Sequence, residues 1–227
     1  MTRKDKSELY QHLTQFITQE RKHLIEEKSL LRTRFVTIAL ENIYQPHNAS
    51  AVLRTADCLG IQDVHIIENR NTYSPNPDVS LGADKWLTLK KYHNSETESS
   101  TTQCINHLKK EGYQILATTP HTSDILLTEL EINQKTVFLF GTEKDGLSQE
   151  AIHLADGYVR IPMYGFSESY NISVSAAITL FTIMEKLRKS TLPWQLSDSE
   201  IIELRLQWAT KSVKKSDLII EKFLDSL

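Results

Sequence analysis

The stretch KTVFLFG, Lys135 to Gly141, is apolar without a break from Val137 to Phe140. A half-wet strand would alternate apolar and polar residues, so this one is expected to be buried on both faces. Such a strand belongs inside a parallel sheet covered by helices on both sides. The flanking sequence supplies the other parts. RFVTIALEN (34–42), DVHIIE (63–68), WLTLKKY (86–92), QILATTP (114–120) and GYVRIPM (157–163) read as further strands. Helices are expected from Pro46 to a stop at Gly60, within SETESSTTQCINHLKKEGY (95–113), over LSQEAIHLAD (147–156) with Ser148 as cap, and over NISVSAAITLFTIMEKLRK (171–189). Strand–helix alternation of this kind predicts an α/β fold with a parallel sheet and flanking helices. NRNTYSPNPDVSLGADKW (69–86) reads as a long loop.

The ends differ from this centre. Leu9, Leu13, Phe16, Ile17, Leu24 and Ile25 recur at helical spacing, predicting one helix from Ser7 to about Glu27. After Pro193 the chain reads as one or two further helices. The expected organisation is an N-terminal helical arm (1–34), an α/β core (35–190) and a C-terminal helical tail (191–227).

The 227 residues are 40% hydrophobic and 24% charged, enough for one sizeable core. No apolar run reaches the length of a membrane span. MTRKDKSELY lacks the pattern of a secretory signal, and the only cysteines are Cys58 and Cys104. A reducing, cytoplasmic setting is therefore expected. In that setting the sequons Asn48-Ala49-Ser50 and Asn171-Ile172-Ser173 carry no glycan, and both asparagines need another reading. Net charge is −3, divided as +3 over residues 1–34, −8 over 35–185 and +2 over 186–227. If a polyanion binds, the basic ends are its handles; the alternative is two solvated helix faces.

Several chemistries are excluded by missing residues. GTEKDGLS (141–148) has the glycine spacing of a phosphate loop, but Leu147 stands where that loop needs lysine. No G-x-G-x-x-G follows a strand, no G-x-S-x-G elbow exists, and the eight histidines show no compact metal spacing. No metal is expected.

Three segments remain. PHNASAVLRTAD, LFGTEKDGLS and IPMYGFSESYNISVSAA each set polar or glycine residues beside an apolar strand. Ligands of open parallel sheets bind beyond the carboxyl ends of the strands, so these loops can converge on one site. Asn48 is expected to cap its helix, and Arg54, not quite two turns later, to face the same pocket. Taken alone, Arg54 reads equally as an exposed helix arginine, Glu143 as a cap and Asn171 as an N-cap.

Together and in this order the three segments resemble the motifs of the SPOUT RNA 2′-O-ribose methyltransferases, in particular the TrmH/SpoU branch that acts on tRNA guanosine 18. The resemblance runs from about Phe35 to Lys189. It implies a C-terminal deep trefoil knot, S-adenosylmethionine bound in it, and a homodimer with the catalytic site near its interface. Carried over by motif, the catalytic set is Asn48, Arg54, Glu143, Ser169 and Asn171. The cofactor pocket is implied at Thr118, Gly141, Ile161 and Tyr170, with apolar walls from Leu139, Phe140 and Met163. Tyr170 stands where leucine is common, and YGFSES where GMVQS-like residues are common. The implied partner is tRNA, with Lys4, Lys6, Arg21, Lys22, Arg32, Arg34, Lys211, Lys214 and Lys215 expected on phosphates. The competing readings are a ribosomal RNA or other tRNA position, and a non-catalytic RNA-binding protein of the same fold.

Overall fold

The computed structural model describes residues 2–70, 73, 77–120 and 125–225. They divide into two compact units: Arg34–Trp194, and a second one made from the chain ends, 1–33 with 195–227.

The larger unit is built on seven parallel strands: β1 (Val36–Glu41), β2 (Asp63–Glu68), β3 (Thr88–His93), β4 (Gln114–Thr118), β5 (Ile125–Leu126), β6 (Thr136–Phe140) and β7 (Gly157–Arg160). Their order is β3-β2-β1-β6-β4-β7-β5. The chain starts in the middle at β1, steps outward to β3, crosses over to β4, and only later fills the gap with β6. Strands β1 and β6 thus lie side by side although far apart in sequence, with Ile38 opposite Phe138 and Leu40 opposite Phe140. The order reverses between them, the point beside which ligands of open parallel sheets commonly bind.

KTVFLFG is buried on both sides, as its unbroken apolarity requires. Phe138 and Phe140 join Ile38 and Leu40 against α3 (Pro46–Cys58) and α7 (Ile172–Lys189), whose Val52, Leu53, Ala176, Leu180 and Ile183 fill that face. Val137, Leu139 and Ala39 point the other way, onto Ile105 and Leu108 of α5 (Ser100–Lys110) and Ala151 of α6 (Gln149–Leu154). Side chains of β6 therefore alternate with period two between two apolar layers. The strand β5 has only two residues and was not expected. It pairs with β7 at the sheet edge. Of the long loop from Asn69, the short helix α4 (Pro77–Ser80) and a turn at Ala83–Lys85 are described; residues 71, 72 and 74–76 lie outside the described set.

In the second unit, the expected single helix from Ser7 to Glu27 is two, α1 (Arg3–Thr14) and α2 (Gln19–Ser29). Thr18 accepts the Arg21 N–H and starts a new helix there. The tail forms α8 (Asp198–Ser212) and α9 (Ser216–Leu224). Leu9, Tyr10 and Leu13 are buried with Leu204 and Trp208, and Arg205 donates to Ser29 Oγ at 2.8 Å and to the Glu26 carbonyl at 3.0 Å. Arm and tail are one body, joined also by a bridge between Thr33 and Gln195. Several expected phosphate contacts are committed elsewhere. Arg32 is buried over the Trp208 ring, Lys6 pairs with Glu203, and Arg34 pairs with Asp63 of the larger unit's own sheet. Lys4, Arg21, Lys211, Lys214 and Lys215 are exposed. No helix among the described residues is long and apolar enough to cross a membrane.

Candidate active site

The first loop leaves β1 at Glu41 and turns through Asn42, which adopts a left-handed backbone. Helix α3 then begins at Pro46, which suits a first helical position because it has no N–H to leave unpaired. Gln45 is the N-cap residue and makes no side-chain cap. Asn48 therefore does not cap the helix, contrary to expectation. It sits in the first turn, buried, and its amide is used elsewhere. Nδ2 donates to Gln45 Oε1 at 3.0 Å and to Glu143 Oε1, while Oδ1 accepts from Asn171 Nδ2 at 3.3 Å. Asn171 does cap α7: its Oδ1 accepts from the Ser173 N–H at 2.9 Å and the Ser173 hydroxyl at 2.6 Å. One asparagine from each sequon and the glutamate of the middle segment thus form a continuous chain, Glu143–Asn48–Asn171. An asparagine can donate and accept at once, which suits it to the middle of such a chain.

Glu143 is held in place by the loop that carries it. Thr142 and Gly146 exchange backbone hydrogen bonds at 3.0 and 3.1 Å, closing a tight turn. A Cβ on Gly141 would stand 2.1 Å from the Gly146 carbonyl, so only glycine fits. The far end of the loop is pinned by Glu41, a buried carboxylate that sequence reading missed. It accepts from the Ser148 N–H at 2.8 Å, the Ser148 hydroxyl at 2.7 Å and the Thr101 hydroxyl at 2.6 Å. Its signal was a charge closing an otherwise apolar strand.

Beside this chain lies a cavity of about 490 Å³, within the usual size range for small-ligand sites. Its walls come from the carboxyl ends of β4, β6 and β7 and the start of α7. Thr118, Gly141, Ile161, Met163 and Tyr170 line it, as do Glu143 and Ser169. Two expectations fail geometrically. Leu139 is not a wall: it points into the α5/α6 layer, and only its carbonyl faces this edge, accepting from Thr118 Oγ1 at 2.7 Å. Phe140, one residue on, is the apolar wall. Arg54 does not reach the cavity either. Six residues past Asn48 it projects about 120° away around the helix; it is exposed and bonds to no described residue. Residues the sequence did not single out also line the cavity, among them Arg160, Glu168 and Thr179. Among the described residues no group of three or more His, Cys, Asp or Glu could hold a metal ion.

Residues 36–181 match the SpoU rRNA Methylase family, a span holding every residue of the catalytic and cofactor sets. This chain belongs to the SpoU methylase family. Among its SpoU relatives, the tRNA (guanosine(18)-2′-O)-methyltransferase of Borreliella burgdorferi is 45% identical over 207 residues, 91% of this chain and 92% of that one. The enzyme of the same name from Thermus thermophilus is 34% identical over 175 residues, 77% of this chain and 87% of that one. In structure, the A. aeolicus TrmH/SpoU tRNA modifying enzyme superposes with a TM-score of 0.75 at 27% identity, over 86% of this chain and 98% of that one.

Proposed function

We propose that this protein methylates the ribose 2′-hydroxyl of the guanosine at position 18, in the D-loop of tRNA, with S-adenosylmethionine as donor. The observation that carries the reading is the Glu143–Asn48–Asn171 chain. It joins all three motif segments at the carboxyl edge, against a cavity of cofactor size. The 45% identity to a protein named for this reaction, spread over nine-tenths of both chains, supports tRNA as the substrate.

The cavity residues fit the cofactor in chemistry. The threonine hydroxyl at 118 and the bare backbone at Gly141 present polar groups, while Phe140, Ile161 and Met163 supply apolar wall. These residues, with Tyr170, would hold it. When bound, S-adenosylmethionine supplies a sulfonium methyl group that a ribose oxygen can accept. The chain's own task is to place the hydroxyl and lower the cost of losing its proton to solvent, since a neutral hydroxyl is a weak nucleophile. Ser169 and Glu143 stand at the cavity wall for this purpose, and Asn48 and Asn171 hold Glu143 and the start of α7 in register. A guanidinium stays protonated in proteins, so Arg54 is assigned as a charged stabiliser of phosphate and developing alkoxide, not as proton acceptor.

Arg54 stands outside its own protomer's cavity, which favours a homodimer in which one protomer's arginine serves its partner's site. Helix α7 carries an apolar face suited to that contact, with Val174 and Phe181 each more than two-fifths exposed. We take the sheet's C-terminal part to be tied in the trefoil knot that the three motifs imply, and the setting to be the cytoplasm. The test is transfer of labelled methyl to purified tRNA and rRNA offered separately, with the modified nucleotide mapped. Label on the D-loop guanosine ribose is expected. Label on rRNA alone overturns the substrate, and cofactor binding without transfer to either overturns the enzyme.

A further inference from the structure

The loop between β7 and α7 leaves the cavity wall at Met163 and returns to it at Glu168. Between these points two aromatic rings stand in solvent: Tyr164 is 95% exposed and Phe166 109%. Scattered apolar surface is ordinary, but two whole rings at the rim of a binding cavity mark a contact surface. Their neighbours are Gly165, Ser167 and Ser169. Rings set among small polar residues suit stacking on unpaired bases, which present a flat π-face and a hydrogen-bonding edge. The apolar face of α7, with Val174 and Phe181, is a different surface on a different element.

Glu168 adds chemical selectivity. It lines the cavity, is exposed, and makes no hydrogen bond or ion pair with any described residue. A carboxylate only accepts hydrogen bonds. Of the four RNA bases, guanine alone offers two adjacent donors on its pairing edge, N1–H and the 2-amino group. Adenine and cytosine put an acceptor at the ring position of that edge, and uracil flanks its single N–H with carbonyls. A ribose whose 2′-oxygen reaches the cavity carries its base on the adjoining carbon, so that base must lie at the rim.

We infer that Tyr164, Phe166 and Glu168 form a subsite for the unpaired guanine of the target nucleotide: the rings stack on the base and the Glu168 carboxylate accepts from N1–H and the 2-amino group. The inference rests on the methyltransferase reading above and extends it to the base.

The experiment measures binding apart from turnover. Fluorescence anisotropy follows a D-arm hairpin oligoribonucleotide carrying guanosine, inosine or adenosine at the target position, with S-adenosylhomocysteine present. The wild type is expected to prefer guanosine to adenosine by roughly tenfold or more, with inosine between. Glu168→Gln is expected to erase most of that preference. Tyr164→Ala and Phe166→Ala are expected to weaken binding of all three RNAs by roughly tenfold, and Phe166→Tyr to retain it. No base preference in the wild type, or variants that bind as it does, overturns the subsite. Conversion of the alanine variants from dimer to monomer in sedimentation also overturns it, making the loop a protein interface. A wild type that keeps its guanosine preference but methylates no RNA leaves the subsite standing and overturns the proposed reaction.

Discussion

At the scale of single residues, Asn48 and Arg54 sit on one helix and have opposite fates. Asn48 is buried and central to a hydrogen-bonded chain; Arg54 is exposed and bonds to no described residue. Their substitutions should separate accordingly. Asn48→Ala removes the hydrogen bonds to Gln45, Glu143 and Asn171 Nδ2; Glu143 and Asn171 are exposed and turn to water, so the net loss is about 0.5–1.5 kcal/mol. Urea unfolding should record that loss, and methyl transfer should fall with it. Arg54→Ala should unfold like the wild type, because surface changes of this kind stay within about 0.5 kcal/mol. Its methyl transfer should nonetheless drop by roughly a hundredfold, the usual cost of removing one preorganised stabilising group. Arg54→Lys should not restore it, because an ammonium lacks the planar fork that grips phosphate. Equal stability losses in the two alanine variants would show that Arg54 is structural.

At the scale of elements, the strands were legible wherever burial dictates pattern. KTVFLFG reads as an interior strand because its apolar run is short and unbroken, and each strand named from sequence has a counterpart in the sheet. The helix break at Thr18 was not legible, since the apolar spacing runs through it and a single hydroxyl decides it. Nor was the facing of Leu139 or Arg54, because motif likeness gives membership of a site but not direction. Asn48 was misread as a cap because its true partner, Glu143, lies 95 residues away. The glycine of the middle loop is a sharp element-level test. Gly141→Ala must push the Gly146 backbone aside, so cofactor binding by calorimetry should weaken markedly while far-ultraviolet dichroism stays native. Unchanged binding would show that the loop is not part of the pocket. On the opposite layer, burial, reinforced by the charge of Lys90, lowers the pKa of His65 on β2 to about 3. The unfolded chain protonates near pH 6.5, so it binds more protons than the native state between these values. His65 therefore costs no stability above about pH 6.5, and stability falls as pH drops toward 3, by about 2 kcal/mol between pH 6.5 and 5. Urea unfolding at several pH values should show this slope, flattened in His65→Gln. An identical slope in both proteins would assign it to other groups.

At the scale of the whole molecule, the chain ends and the proposed subunit contact act separately. The arm and tail form one unit, and its internal pairs account for much of its charge. The basic residues that remain exposed, Lys214 and Lys215 among them, are the ones whose reversal should weaken tRNA binding and flatten its salt dependence. Assembly is tested by mixing. Arg54→Ala and Glu143→Ala protomers, co-expressed with different tags and isolated as mixed dimers, should regain methyl transfer if Arg54 acts on its partner's site. Mixed dimers as inactive as either parent would place both residues in one protomer's site. The central claim is that the methyl group goes to a ribose 2′-oxygen, and one substrate tests it directly. A tRNA is assembled with 2′-deoxyguanosine at the target position and compared with its ribo counterpart for uptake of labelled methyl from S-adenosylmethionine. Label on the ribo tRNA and none on the deoxy tRNA is the predicted result; equal label on both would contradict the account, because the acceptor would then be something other than the 2′-hydroxyl.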